Sequence, residues 1–432
     1  MVIRGGNLFL GLEKGFQRHG CIRISQGKIT EVSFGKQPSA LAPCEIIIAP
    51  GRVELGSEIM VIPGLIDAHV HLREPGFEEK ESILSGSRAA LAGGFTTIFS
   101  MPNTNPPPDT PERYGFIAGL GHNAPVDVVV VGAATLGRKG QELVDYQSLH
   151  RLGATVFSDD GDPLWDPVLL RRLLKASARL GFIVSDHCED PRLSGKFPLH
   201  EGSVAKALGL PGQPSSAETV QLAKGIALAV ETGGRYHAQH LSARESIDLV
   251  RQARNLGWPV TCEVTVHHLF YTQEVIHRAL GNGKCAPPLR SEEDRRALLT
   301  GCTDGTVSAI VTDHAPHLAK EKLLPLGDAP FGVIGLETAL SAVHTLAKRG
   351  ELAFERGIHL MTAAPASLFG LSGAGSLVAG NCADITLFNP AMEWTVEPPF
   401  YSKSQNSPFI SETLQGRVAA VFKDGVLRHV LD

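Results

Sequence analysis

The chain has 432 residues, of which 43% are hydrophobic and 20% are charged, and its formal net charge is −5. These values exclude a disordered or fibrous chain, and no dense cluster of lysine and arginine marks a surface for nucleic acid. No apolar run reaches the length of a membrane span, so we expect a globular protein with a small-molecule partner, without nucleic acid or membrane.

The two ends of the chain share one kind of pattern. Residues 1–60 contain short strand-like runs such as Cys21–Ile24, without the periodicity of helices. Similar runs return near the other end, at Ala383–Phe388 and Arg417–Phe422. We expect both termini, residues 1–60 and 369–432, to build one small β-sandwich domain together.

The middle of the chain alternates short apolar runs with helical patterns. Near-continuous apolar strands of this kind are typical of parallel strands covered by helices, and eight such units predict a closed barrel. We therefore predict an α/β fold in which residues 61–368 form a (β/α)8 TIM barrel. The eight runs are Val61–His69, Phe95–Met101, Val126–Ala133, Ala154–Ser158, Phe182–Asp186, Arg235–Gln239, Pro259–Val264 and Val307–Thr312.

Several helices carry local signals for where they begin. Asp166 precedes a proline, which predicts a helix N-cap followed by proline at the first helical position. Ser215 with Glu218, and Ser242 with Glu245, have the spacing of capping boxes.

The stretch from Asp190 to Ser216 is rich in glycine, proline and serine. This composition predicts a long loop after the fifth strand. Loops at that edge of a barrel carry function, so we expect this one to border an active site.

Histidine and acidic residues recur where the predicted strands end. His69 and His71 are alternate residues at the end of the first strand, so both imidazoles can reach one ion. Two histidines at this spacing would, by themselves, be read as ordinary polar residues at a strand end. However, histidine or acidic residues also follow the fourth, fifth, sixth and eighth strands. These are Asp159 and Asp160, His187, His240, and Asp313 with His314.

This set of residues predicts a metal site at the carboxyl ends of the strands. Four histidines and two carboxylates are enough for two adjacent ions, and imidazole with carboxylate suits zinc. The seven cysteines include no Cys-x-x-Cys pair and predict reduced thiols. Together with an amino terminus that lacks a signal peptide, they indicate a cytoplasmic protein.

Five motifs resemble those of type I dihydroorotases in the amidohydrolase superfamily. The resemblance runs nearly end to end and implies a hydrolase of cyclic amides that interconverts N-carbamoyl-L-aspartate and L-dihydroorotate in de novo pyrimidine biosynthesis. The motifs are Asp67-Ala-His-Val-His-Leu-Arg-Glu-Pro-Gly76, Met101-Pro-Asn-Thr104, Phe157-Ser-Asp-Asp-Gly161, Thr312-Asp-His-Ala-Pro-His317 and Pro330-Phe-Gly332.

The resemblance also implies the metal ligands. It assigns His69 and His71 to one ion, His187 and His240 to a second, and Asp313 to the first ion as the catalytic acid and base. In many members of the family a carboxylated lysine bridges the two ions, but the motif Phe157–Gly161 of this chain contains no lysine. The resemblance therefore implies Asp160 as the bridging ligand, with Asp159 as the alternative. One or two zinc ions per subunit are implied, and two are expected.

The substrate contacts follow from the same resemblance. Arg73 can hold the substrate carboxylate through a planar two-point contact, although an exposed arginine paired with Glu74 is the ordinary alternative. The full predicted set is His71, Arg73, Asn103, His317, Phe331 and Gly332.

The sequence departs from the family pattern after the seventh strand. The family usually has Asn-Pro-Pro-Leu-Arg there, whereas this chain has Ala286 in place of the asparagine. An alanine side chain cannot make the corresponding hydrogen bond to substrate. His267 and His268 also lie near this segment, and we interpret them as structural residues.

Two other functions remain open at this point. Ala286 favours a related cyclic amidase that acts on hydantoins, dihydropyrimidines or allantoin. Arg73 and Asn103 favour instead a substrate with a carboxylate. A metal-free barrel that serves as a non-catalytic partner of aspartate transcarbamoylase is the second alternative, but no metal ligand is missing. The resemblance implies a homodimer and possible association with aspartate transcarbamoylase.

Overall fold

The structure, a computed structural model, describes residues 1–35 and 41–431. Residues 36–40 and 432 belong to the predicted terminal segments and lie outside the described residues. Every helix in the described ranges is too short or too polar to span a bilayer. The helices are Ile83–Ala92, Pro111–Gly121, Leu136–Arg138, Tyr146–Arg151, Pro167–Leu180, Pro191–Ser194, Ser203–Leu208, Ser216–Thr232, Arg244–Asn255, Val266–Phe270, Gln273–Val275, Ile276–Ala279, Leu280–Gly283, Glu292–Asp304, Ala319–Lys322, Ala339–Lys348, Phe354–Leu360 and Ala363–Phe369.

Parallel strands occupy the middle of the chain, in one sheet of three strands and one of six, which agrees with the predicted α/β character. Hydrogen bonds join the edges of these sheets. Val131 N donates to Ser100 O at 3.0 Å, and His71 N donates to His314 O at 2.9 Å. In chain order the strands are Leu65–Val70, Phe95–Ser100, Asp127–Val130, Gly132–Ala133, Val156–Ser158, Ile183–Asp186, Arg235–Ala238, Val260–Thr265 and Ala309–Val311.

The first predicted strand, Val61–His69, is divided in the structure. Its beginning belongs to the strand Arg52–Pro63, which pairs antiparallel with Ile385–Thr395. The strand is then interrupted at Gly64, a position where a Cβ atom would lie 2.2 Å from Thr96 Oγ1. The apolar run concealed this break because both pieces are buried.

Side chains of the parallel strands alternate between two apolar clusters. Phe99 packs with Ile66 and Val156 in one cluster, whereas its neighbour Ile98 packs in the larger cluster that includes helix residues such as Leu170. Strands buried on both faces read as continuous apolar runs, which is why these strands were visible in the sequence.

The terminal segments form one mixed sheet of nine strands, with its own apolar cluster around residues such as Ile22, Leu55 and Phe422. The sheet therefore combines strands from both ends of the chain. Its strands are Val2–Phe9, Phe16–Arg18, Gly20–Ser25, Lys28–Phe34, Ile46–Ala49, Arg52–Pro63, Ile385–Thr395, Thr413–Lys423 and Val426–Val430.

The predicted cap at Asp166 is confirmed. Its carboxylate accepts hydrogen bonds from Val168 N at 2.7 Å and Leu169 N at 3.1 Å, and the helix Pro167–Leu180 follows. Gly181 ends this helix with a φ of 87°, a conformation that glycine adopts without strain.

Both predicted capping boxes are wrong. Ser215 makes no side-chain cap hydrogen bond, and the helix Arg244–Asn255 begins only after Ser242. Glu218 instead accepts hydrogen bonds across the helix boundary from the backbone N–H of Ser242, at 3.1 Å, and from its hydroxyl. Glu245 is exposed and pairs with a neighbouring arginine. Glu218 therefore makes a tertiary contact with Ser242 and does not form the predicted local cap.

The stretch from Asp190 to Ser216 is more ordered than predicted. It contains the short helices Pro191–Ser194 and Ser203–Leu208, and the two-residue strands Leu199–His200 and Gly212–Gln213, which pair in parallel. The glycines and prolines that indicated a loop mark the turns between these short elements.

The contact made by Glu218 predicts a difference between two glutamate variants. Glu218→Ala removes the acceptor for Ser242 and leaves the guanidinium of Arg290, 3.5 Å away, buried without its carboxylate. We expect a loss of about 3 kcal/mol in the free energy of unfolding. Glu245→Ala removes an exposed side chain and should cost less than about 0.5 kcal/mol. Urea unfolding of both variants measures the difference, and equal effects would contradict this assignment.

Candidate active site

The six predicted metal ligands lie together, where five parallel strands end. Strand ends bring together side chains that are far apart in sequence, because parallel strands open at one edge. His69 lies within the strand Leu65–Val70, and the other five residues lie one or two positions after the ends of strands. The six are His69, His71, Asp160, His187, His240 and Asp313, each at most 6% exposed.

Asp160 lies between two pairs of histidines. Its Oδ2 atom is 3.3 Å from His69 Nε2 and 3.4 Å from His71 Nε2. Its Oδ1 atom is 3.4 Å from His240 Nε2 and 3.6 Å from His187 Nδ1. Each carboxylate oxygen therefore faces one pair of imidazoles.

Asp313 joins the first of these groups. Its Oδ1 atom lies 2.9 Å from His71 Nε2 and 3.6 Å from His69 Nε2. His187 and His240 form the second group, in which His187 Nδ1 lies 3.0 Å from His240 Nε2.

The ligand atoms of this cluster fit divalent metal ions. Within the described ranges, His69 Nε2 and Asp160 Oδ1 are buried without a hydrogen-bond partner, and an unsatisfied buried polar atom costs about 1–3 kcal/mol. Two groups of three residues share Asp160, with ligand atoms within 4.8 Å of one another. Imidazole and carboxylate donors at this spacing are typical of divalent metal sites.

Asp159, the alternative bridging residue, faces away from this cluster. Its Oδ1 atom accepts hydrogen bonds from Ala134 N and Thr135 N, both at 3.0 Å, and its Oδ2 atom accepts one from the Thr135 hydroxyl. Its carboxylate is therefore engaged by the loop after the preceding strand. The geometry favours Asp160.

Two further residues orient the histidine ligands. Glu263 Oε1 lies 2.6 Å from His69 Nδ1, and Glu263 Oε2 lies 3.1 Å from His237 Nε2. Asn103 Oδ1 lies 2.8 Å from His71 Nδ1. Burial alone would raise the pKa of Glu263, but the charge of His69 and the hydrogen bond from His237 lower it to about 2. An ionised partner of this kind fixes the ring and leaves its other nitrogen for a metal.

The two aspartates of the cluster stay ionised. Burial acts to raise the pKa of Asp160, but the charge of His69 holds it well below its usual value. Burial is likewise outweighed at Asp313, where the hydrogen bond from His71 lowers the pKa of the carboxyl. Both side chains are therefore anionic near neutral pH.

A cavity of about 350 Å³ opens above the cluster. Of the predicted substrate contacts, four line it, namely His71, Asn103, Phe331 and Gly332. Ala286, where the family pattern has asparagine, also lines it. The size is that of a small-molecule site.

Arg73 and His317, the other two predicted contacts, are not among the residues that line the cavity. Arg73 Nε donates to Pro316 O at 3.2 Å, and His317 Nε2 lies 2.7 Å from Phe331 O. The alternative pair of Arg73 with Glu74 is not formed, since Glu74 accepts a backbone N–H instead. Burial lowers the pKa of Arg73 to about 10, so it remains charged.

Positive charge surrounds His317. Its burial, followed by the charges of Arg73, Lys322 and Lys80, lowers the pKa of its ring to about 2. The ring is therefore neutral. Arg73 and Lys80 each lie 3.5 Å from it, and the carboxylate of Glu321 lies 3.6 Å from it and pairs with Lys80.

Sequence reasoning missed several residues of the site. Glu189, Lys196 and Gln213 line the cavity from the stretch after the fifth strand, and Gln213 Nε2 donates to Glu189 Oε2 at 3.0 Å. The predicted loop Asp190–Ser216, expected to border the site, includes Lys196 and Gln213, whereas Glu189 lies just before it. Glu263 had a clearer signal, because it is the charged residue of a largely buried strand.

His267 and His268 form a third group with Cys285. Both ring nitrogens of His268 are already engaged, Nδ1 by the Thr265 hydroxyl at 2.6 Å and Nε2 by Pro287 O at 3.0 Å. His268 therefore fits the structural role predicted for it.

Comparison with known sequences gives one consistent result. A family profile described as Dihydro-orotase-like matches residues 58–246. The chain is 41% identical over 409 residues to a dihydroorotase of Geobacillus kaustophilus, covering 94% of each chain. It is 44% identical over 377 residues to one of Pelotomaculum thermopropionicum, covering 87% of this chain and 86% of the relative.

Comparison with solved structures shows the fold. The L-hydantoinase (dihydropyrimidinase) of Arthrobacter aurescens superposes with a TM-score of 0.85 at 24% identity, covering 100% of this chain and 97% of that one. A dihydropyrimidinase of Brevibacillus agri gives a TM-score of 0.82 at 19% identity, covering 99% and 94%. A fold of this kind does not by itself assign a substrate.

The two neighbouring aspartates predict opposite effects on metal content. Asp160→Asn weakens an anionic ligand that both histidine pairs face, so bound zinc should fall at both positions. Asp159→Asn alters only the contacts with Ala134 and Thr135, so the zinc content should stay within about 20% of the unmodified protein, while stability falls by about 1–3 kcal/mol. Elemental analysis after reconstitution measures zinc. Normal zinc in Asp160→Asn would refute the shared-ligand geometry.

Proposed function

The chain belongs to the dihydroorotase family, and we propose that it catalyses the reversible conversion of N-carbamoyl-L-aspartate to L-dihydroorotate and water in pyrimidine biosynthesis. The observation that carries this proposal is the cavity whose floor is Asp160 between two pairs of histidines. Relatives that are 41–44% identical over most of the chain and are named dihydroorotase support it.

The proposed fold is a closed (β/α)8 barrel of residues 61–368 with a β-sandwich domain built from residues 1–60 and 369–432. The bond from His71 N to His314 O supports closure, because it links the last parallel strand to the first. The sheet shared by both termini supports the second domain.

The metals we propose are two zinc ions. When bound, zinc at this place lowers the pKa of a water molecule toward about 7 and polarises a carbonyl group. The ligands would be His69, His71 and Asp313 for one ion, His187 and His240 for the other, and Asp160 for both.

Asp313 is the residue that moves the proton. It lines the cavity, is ionised, and contacts His71 at 2.9 Å. In hydrolysis its carboxylate accepts a proton from the attacking water and delivers it to the ring nitrogen that leaves the amide carbon. In ring closure it takes the proton from that nitrogen and returns it to the departing water.

The substrate carboxylate is placed at the positive end of the cavity. Asn103 lines the cavity, and the neutral ring of His317 contacts the carbonyl of the lining residue Phe331 and lies 3.5 Å from Arg73. The charge of the half-buried Arg73 attracts an anionic group, and the backbone N–H of Phe331, unbonded within the described ranges, is a donor for the ring. Ala286 adds no hydrogen bond.

The second candidate function is hydrolysis of a hydantoin, a dihydropyrimidine or allantoin. Ala286 favours it, because the contact made by the usual asparagine is missing. The cations around His317 oppose it, because neutral hydantoins have no carboxylate to balance them. A non-catalytic partner of aspartate transcarbamoylase does not need the complete set of six ligands found here.

The remaining proposals concern assembly and location. We propose a homodimer in the cytoplasm that can associate with aspartate transcarbamoylase. All seven cysteines are free, which agrees with a reducing compartment. Sedimentation velocity measures the assembly state.

The substrate assignment is tested by comparing ring substrates with the zinc-loaded protein. We expect turnover of carbamoyl aspartate and of dihydroorotate, with kcat/KM for hydantoin and allantoin lower by about 100-fold or more, since those rings leave the positive wall unpaired. Removal of zinc by a chelator should abolish turnover, and added zinc should restore it. Turnover of hydantoin or allantoin without turnover of dihydroorotate would reject the proposal.

A further inference from the structure

Lys322 is a buried lysine whose ammonium group contacts only backbone carbonyl groups among its described hydrogen bonds. Its Nζ atom donates to Gly332 O at 2.7 Å, to Pro330 O at 2.8 Å and to Lys284 O at 3.2 Å. The residue is 4% exposed. An ammonium has three N–H donors, and three carbonyl oxygens receive them.

No carboxylate pairs with this ammonium among the described ion pairs. Its neighbour Glu321 binds Lys80 instead, at 3.0 Å. Burial lowers the pKa of Lys322 to about 7. A buried cation without a counter-ion is costly, so packing alone does not account for a lysine at this position.

The three carbonyl groups belong to two stretches of backbone that form one wall of the cavity. Pro330 and Gly332 line the cavity, and Lys284 lies two residues before Ala286, which lines it as well. Lys284 O also accepts a hydrogen bond from Gly332 N at 3.0 Å. One ammonium group therefore joins both stretches.

The peptide between Pro330 and Phe331 is held at its carbonyl group by Lys322. It is a trans peptide, so the N–H of Phe331 points away from the carbonyl that Lys322 holds. No hydrogen bond within the described ranges uses this N–H, and Phe331 lines the cavity. The Phe331 carbonyl is fixed separately by His317 Nε2 at 2.7 Å.

Charge on one side of a peptide strengthens hydrogen bonding on the other. A cation at the Pro330 carbonyl polarises the peptide, which makes the N–H of Phe331 a better donor. Gly332, with a φ of 127°, follows directly, and a Cβ there would lie 2.7 Å from Ala315 Cβ. The wall is therefore closely constrained.

We propose that Lys322 is a positioning residue that directs the N–H of Phe331 toward the substrate ring and strengthens its hydrogen bond to a ring carbonyl. This inference rests on the proposed function, because it takes dihydroorotate as the ligand.

Lys322→Met tests this role, because methionine keeps an unbranched stem and removes the donors. In the zinc-loaded protein we expect KM for dihydroorotate to rise about tenfold or more, with kcat within about threefold, because Asp313 and the metal ligands are untouched. The zinc content should not change. Lys322→Gln, whose amide provides two N–H donors, should give an intermediate KM.

Lys224→Met is the matched control. Lys224 Nζ also donates to backbone carbonyl groups, Leu164 O at 3.2 Å and Trp165 O at 2.6 Å, but it does not line the described cavity. Both kinetic constants should stay within about twofold for this variant.

Three results would overturn the inference. They are a fall in kcat at constant KM in Lys322→Met, equal effects of Lys322→Met and Lys224→Met, and failure of both Lys322 variants to fold, which would make the lysine structural. Calorimetric binding of dihydroorotate to the zinc-free forms gives a readout without turnover. Binding without turnover in the unmodified protein rejects the proposed function, whereas equal affinities of that protein and Lys322→Met reject the inference.

Discussion

The Asp160 carboxylate, held between two pairs of imidazoles, is the contact on which the rest of the site depends. Its oxygens lie 3.3 to 3.6 Å from four ring nitrogens that come from three different strand ends. A buried carboxylate is stable only when it is paired, and these rings can pair with it only if the strands end at one place. Parallel strands with helices on their outer face meet this requirement.

The cavity separates two kinds of chemistry. Imidazoles and carboxylates form its floor, where an amide bond can be opened or closed. Cations cluster at another wall, where Arg73 and Lys322 lie near the neutral His317. A ring that carries both an amide and a carboxylate needs both ends, so the arrangement favours dihydroorotate over a neutral ring. Ala286 lacks the polar contact that the family's usual asparagine makes with substrate between these two ends. The orientation of the substrate ring therefore depends more on the backbone at Phe331.

The sequence made the parallel strands and the clustering of six histidine and aspartate residues predictable, because buried strands read as apolar runs and these residues lie at or just after the ends of such runs. The capping boxes failed at Ser215 and Ser242, since a local pattern cannot show that Glu218 contacts the next helix. Glu263 was missed because its partner His69 is 194 residues away in sequence. Lys322 was missed for a related reason, since its carbonyl partners follow no side-chain pattern.

The central claim is that Asp160 is shared between two metal positions. Anomalous X-ray diffraction at the zinc edge, on crystals of the zinc-loaded protein, tests it most directly. The account predicts two peaks, one beside His69 and His71 and the other beside His187 and His240, with Asp160 between them. A single peak away from Asp160, or a peak beside His267 and Cys285 in place of the pair, would contradict it.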